Sequence, residues 1–293
     1  MKYWPHTIRA VLIRVAVSAA LVGCSTWADL TPEQATALQV KAKSGDKTAL
    51  AALKLQAGQN NKYAQINLGD LYHSGQGVPQ NDDQAAQWFR KAAEQGVARA
   101  QFNLGTLYEK GLGVLQDYSQ AAQWYRKAAE QGTVQAQFNL GVFYVNGLGV
   151  PQDYGQAAQW FRKAAEQGFA PAQYELGRRY TNGQGVPQDY SQAVQWYRKA
   201  AEQGDTDAQT SLGIRYANGQ GVPQNKVVAY ALWDVAAAQD SSGDASSNRS
   251  QIAATMTKKA IESGQALSQE MTLPGNLLNA LDRYLAAHHS KKR

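Results

Sequence analysis

The chain has 293 residues, 44% of them apolar and 18% charged, with one cysteine and four histidines. That length supports a sizeable core, while a single cysteine excludes an internal disulfide framework or a multi-cysteine zinc site, and four histidines offer little to a metal cage. The net charge of +6 does not argue for nucleic acid: Lys2, Arg9, Arg14, Lys291, Lys292 and Arg293 lie at the two ends, and without them the chain has 23 basic and 23 acidic residues.

Met1 to Arg14 form a cationic segment without an acid, followed by the apolar run Val15 to Gly23, a secretory signal pattern. The run is about half of the ~20 residues that a spanning helix needs, so the segment is expected to be cut away. Its end, Leu21-Val22-Gly23-Cys24, resembles the lipobox of bacterial lipoproteins at all four positions. The resemblance implies that residues 1–23 are removed and that Cys24 carries acyl chains. At about 0.8 kcal/mol per buried methylene, two or three chains anchor a protein stably in a membrane. Ser25 in place of Asp implies the outer membrane. Thr26-Trp27-Ala28 also fits an ordinary cleavage site, which leaves a soluble periplasmic or secreted protein as the alternative.

Residues 24–63 read as a linker and helical cap, with helices expected over Thr31 to Gly45 and Lys47 to Gln56. From Ala64 the sequence repeats every 36 residues, in copies 64–99, 100–135, 136–171, 172–207 and a divergent 208–240. Each copy opens with apolar residues at helical spacing, as in Ala100, Leu104, Leu107 and Tyr108 (helix A). A turn follows, in which glycines supply positive φ and Pro stops the helix; only the second copy has Leu115 instead of that Pro. Asp117 with Gln120 starts a second helix (helix B) from about Tyr118 to Gln131, closed by Gly132. Helix B puts Ala121, Trp124, Tyr125 and Ala128 on one side. Trp88, Trp124, Trp160 and Trp196 are expected in the core, and the Arg-Lys pairs on a solvated face with Glu partners. Trp233, in the fifth copy, falls one place later than the others. Residues 241–293 read as a helical cap and basic tail, with helices at Ser247 to Met256, Thr257 to Glu270 and Asn276 to His288. Leu277, Leu278, Leu281, Tyr284 and Leu285 form a stripe suited to docking the last helix, and His288 to Arg293 read as a frayed tail.

The quoted elements Ala-Gln-Phe-Asn-Leu-Gly, Tyr-x-x-Gly-x-Gly-Val-Pro and Ala-x-x-Trp-Phe/Tyr-x-Lys-Ala-Ala-Glu-Gln-Gly resemble the Sel1-like repeat, a relative of the tetratricopeptide repeat. The resemblance implies an all-α fold, an α-solenoid of antiparallel helix pairs stacked into a right-handed superhelix, whose helix-A face lines a concave groove that binds a protein or peptide.

Columns that vary between copies mark where a partner could be read. They are Asp70, Thr106, Val142, Arg178 and Ile214; His73, Glu109, Val145, Thr181 and Ala217; Ser74, Lys110, Asn146, Asn182 and Asn218. Ile66, Phe102, Phe138 and Tyr174 lie four residues before the first column, on the same face. Free exposure to water, or core packing for the aromatics, also accounts for these patterns.

No Walker loop, His-Glu-x-x-His or Gly-x-Ser-x-Gly is present, and Gly75-Gln76-Gly77 lacks the strand and third glycine of a dinucleotide site. The expectation is a non-catalytic envelope scaffold with no metal or cofactor. Alternatives are a hydrolase or binding protein for β-lactam or peptidoglycan, which the missing paired cysteines of that branch weaken, and a surface factor that binds a host protein such as immunoglobulin.

Overall fold

A computed structural model describes residues 30–289; Cys24 and the segment before it lie outside the described residues. Fifteen α-helices and no strands are present among those residues. They fall into two compact units, residues 30–133 and 134–289.

The first unit opens with a cap hairpin, α1 (Pro32–Lys43) and α2 (Lys47–Gly58). Thr31 and Gln34 close a capping box at the start of α1, and Asp46 caps α2. Two repeat hairpins follow, α3 (Lys62–Ser74) with α4 (Asp82–Glu94), then α5 (Ala98–Lys110) with α6 (Tyr118–Glu130). The second unit has three repeat hairpins: α7 (Val134–Asn146) with α8 (Tyr154–Glu166), α9 (Ala170–Asn182) with α10 (Tyr190–Glu202), and α11 (Thr206–Asn218) with α12 (Lys226–Ala237). It ends with α13 (Asp244–Ala253), α14 (Lys258–Met271) and α15 (Leu277–His289). Among the described residues no helix is long and apolar enough to cross a membrane.

One turn design serves every copy. The first glycine ends helix A in the left-handed region, as at Gly111 with φ 67°. A Cβ on the second would collide with backbone one copy back, at Asp82 for Gly113 and Tyr154 for Gly185, so that position admits only glycine. The N–H of the helix-B cap then donates to the carbonyl of the last helix-A tyrosine, as Asp117 does to Tyr108 at 3.0 Å and Asp189 to Tyr180 at 3.0 Å. These caps, Asn81, Asp117, Asp153, Asp189 and Asn225, accept from the first free N–H groups of helix B.

The hairpin interior is a ring set against a glycine. A Cβ on Gly69, Gly105, Gly141, Gly177 or Gly213 would fall 2.6 to 2.8 Å from the ring of Phe89, Tyr125, Phe161, Tyr197 or Trp233. Trp233 therefore belongs to this ring column; Leu232, fully buried, takes the tryptophan column. Trp233 Nε1 donates to the Thr210 carbonyl at 3.0 Å.

The tryptophan column departs from expectation in degree. Trp124 and Trp160 are buried, whereas Trp88 and Trp196 are only half-buried. Each carries the lysine one turn on over its ring, with Lys91, Lys127, Lys163 and Lys199 Nζ 4.0 to 4.3 Å from the centroid. These lysines are held by cation–π contact where Glu partners were expected, because i+3 spacing places the ammonium over an indole whose edge is buried. The neighbouring arginines reach the next helix A: Arg90 donates to the Tyr108 hydroxyl at 2.6 Å and Arg162 to that of Tyr180 at 2.7 Å.

Buried glutamines bind successive helices. Gln101 donates to the Ala93 carbonyl at 3.1 Å and accepts from Gln131 at 2.7 Å. Gln173 donates to Ala165 at 3.1 Å and accepts from Gln203 at 2.8 Å. Both ends of a buried amide are thus satisfied, as burial requires.

In the second unit α15 docks as its apolar stripe predicts. Leu277, Ala280 and Leu281 are buried, Arg198 grips Asp282 at 2.6 and 2.8 Å, and Glu202 accepts the Leu278 N–H at 2.8 Å. His288 is part of this helix rather than of a frayed tail, its ring stacked on Tyr284 at 4.1 Å. The helix expected over Ser247 to Met256 runs three residues earlier, Asp244–Ala253. Asp240 explains the shift: its carboxylate accepts from Ser242 N and from Ala245 N, both at 2.8 Å, which fixes the start.

Candidate functional site

The candidate face is built from the variable helix-A residues that lie over the helix-B ring of their hairpin. Ile66 drops out of it: only 4% exposed, it lies in the core with Phe89 and Leu104, because its own helix B and the second copy enclose it. Phe102, Phe138 and Tyr174 are half-buried and lean on the ring beneath, with centroids 5.7 Å from Tyr125, 5.7 Å from Phe161 and 5.9 Å from Tyr197.

In the first unit the polar members of the face are tied to one another. Asp70 accepts from Arg99 at 2.6 Å, Gln39 at 3.2 Å and Asn103 at 3.3 Å, and so links α1, α3 and α5. Burial nonetheless pushes its carboxyl above the ordinary value, against the pull of Arg99. His73 Nδ1 meets Asp82 at 2.7 Å inside its own hairpin. The buried Tyr125 hydroxyl lies beneath the face, 3.1 Å from Thr106 Oγ1, and donates to Glu109. Lys110 is exposed at the end of α5.

The second unit shows a different surface. Val142 and Val145 are half-buried and, with Phe138 and Phe169, pack on the cluster around Phe161 and Leu176. Phe138 and Phe169 meet edge to face at 5.4 Å. Asn146 is exposed and donates back to the Val142 carbonyl at 3.0 Å. On α9, Thr181 meets the Tyr197 hydroxyl at 3.0 Å, Asn182 is exposed, and Arg178 pairs with Glu175 at 2.7 Å. Burial, with Asp207 nearby, pushes the Tyr174 hydroxyl up to about 12. Ile214 is half-buried against the cluster that holds Leu212 and Trp233.

Two features were not picked out in the sequence. The ring column alternates Phe89, Tyr125, Phe161, Tyr197, and where a hydroxyl rises the face above it is polar; that signal lies in two columns read together. The other is Arg179, 2% exposed and set where Leu71, Leu107 and Phe143 are buried in other copies. Burial lowers its guanidinium from the ordinary value, opposed by Glu175. Among the described residues no three His, Cys, Asp or Glu side chains gather as a metal site would require.

A Sel1 repeat protein from Oxalobacter formigenes is similar at 40% identity, over 72% of this chain and 86% of that one, with a TM-score of 0.66. A protective antigen of uropathogenic Escherichia coli with an SLR fold is 26% identical, covering 87% of this chain and 79% of that one, TM-score 0.41. An immunity protein from Pseudomonas aeruginosa is 19% identical, covering 78% and 88%, TM-score 0.38. No curated protein matches the chain. The Sel1 repeat model matches residues 62–97, 98–133, 134–169, 170–205 and 206–241, so five consecutive units fill more than half of the sequence, and the chain belongs to the Sel1 repeat family.

Proposed function

We propose that the chain is a protein-interaction scaffold of the bacterial envelope, with a partner docked on the helix-A face of the second unit. Sel1 repeat proteins bind protein partners. The observation that carries the site is the half-exposed apolar group Phe138, Val142, Val145 and Phe169, with Asn146 bonded to the Val142 carbonyl and Arg178 at the position of Val142 one copy on. Apolar anchors inside a polar border are the pattern of a binding patch. The first unit's face, where Asp70, Thr106 and Glu109 already pair within the chain, has less to offer.

The Leu21-Val22-Gly23-Cys24 run supports anchoring through an acylated Cys24. Capture from intact envelopes, with mass spectrometry of bait and prey, tests both parts. Val142→Glu should lose the captured partner while keeping the wild-type helical circular dichroism, and the bait should begin at Cys24 with added acyl mass. Equal capture by Val142→Glu removes the proposed face, and an unmodified amino terminus removes the anchor.

A further inference from the structure

Arg179 and Arg178 share one carboxylate. Arg179 is 3% exposed at its side chain and faces the Tyr154 ring at 5.6 Å; its Nη2 reaches Glu175 at 3.3 Å, while Nε and Nη1 have no partner. The other Glu175 oxygen goes to Arg178 at 2.7 Å, a guanidinium 43% exposed on the helix-A face. The better bond thus serves the residue that water already serves. An exposed pair stabilises little, whereas a buried guanidinium with unmet donors is costly, so Glu175 has more to gain from Arg179.

We propose that Glu175 couples the face to the packing beneath it: an acidic group on the partner takes Arg178, Glu175 turns both oxygens to Arg179, and the seam between α8 and α9 tightens. This deepens the docking reading and rests on it, since it gives the partner a carboxylate beside its apolar contact. No acid other than Glu175 stands within ion-pair distance of either arginine among the described residues. The linkage is reciprocal, so a tighter seam strengthens the hold on the partner.

The coupling can be tested without the partner. Arg178→Gln frees Glu175, so hydrogen exchange in α8 and α9 should slow about tenfold, the scale of one buried donor gaining its bond. The melting temperature should rise although an ion pair has been removed. The gain should vanish in an Arg179→Leu background. Hexaglutamate added to the wild type should slow the same amides, hexalysine should not, and Arg178→Gln should ignore both. Unchanged or faster exchange in Arg178→Gln, or an equal gain with Arg179→Leu, overturns the coupling. Because Val142→Glu probes only the apolar patch, the docking reading stands or falls separately.

Discussion

The second and third repeats share a scaffold but differ in the chemistry of their helix-A residues. In both, a helix-A glycine lies on a helix-B ring, Gly105 on Tyr125 and Gly141 on Phe161. Tyr125 sends a hydroxyl up between Thr106 and Glu109, whereas Phe161 sends none and lies below Val142 and Val145. In these two copies the polar residues stand where the ring carries a hydroxyl and the valines where it carries none. A column that varies between copies is therefore not by itself a sign of partner recognition; part of its variation answers to the core.

The shared ring should matter most. Phe161→Ala should cost about 3–5 kcal/mol by opening a cavity under Gly141, measured by denaturant unfolding. Next comes the exchange of one face's chemistry for the other's: Phe161→Tyr puts a hydroxyl under two valines and should cost about 1–3 kcal/mol. Adding Val142→Thr, which rebuilds the neighbour that Thr106 provides for Tyr125, should recover most of that loss. No recovery would separate the face from the ring below it. The reverse change is smallest: Tyr125→Phe should cost about 0.5–1.5 kcal/mol, since Thr106 and Glu109 can turn to water.

The period, the hairpins and most helix ends were legible in the sequence because turn glycines, Asp and Asn caps and apolar spacing are local signals. The predicted helix from about Tyr118 to Gln131 is observed as Tyr118–Glu130. The start of α13 was hidden because Asp240 caps it from outside the helix. The place of Ile66 depends on what encloses it, which no periodicity reveals. Trp233 looked like a misplaced member of one column and is a regular member of its neighbour, a distinction that needs the contact with Gly213. Arg179 was not singled out in the sequence; it stands in the column where three other copies bury an apolar side chain, and only the packing shows that it is buried as well.

The buried amides have a consequence for growth of the array. Within each unit Gln101 meets Gln131, and Gln173 meets Gln203, through the same pair of bonds. Each clasp joins two uncharged groups of one kind, so neither acid nor salt discriminates between its rungs. A duplicated 36-residue segment spliced in frame would bring both halves of its own clasp and find the matching carbonyl already waiting. Gene duplication can therefore lengthen such a protein without any compensating change elsewhere.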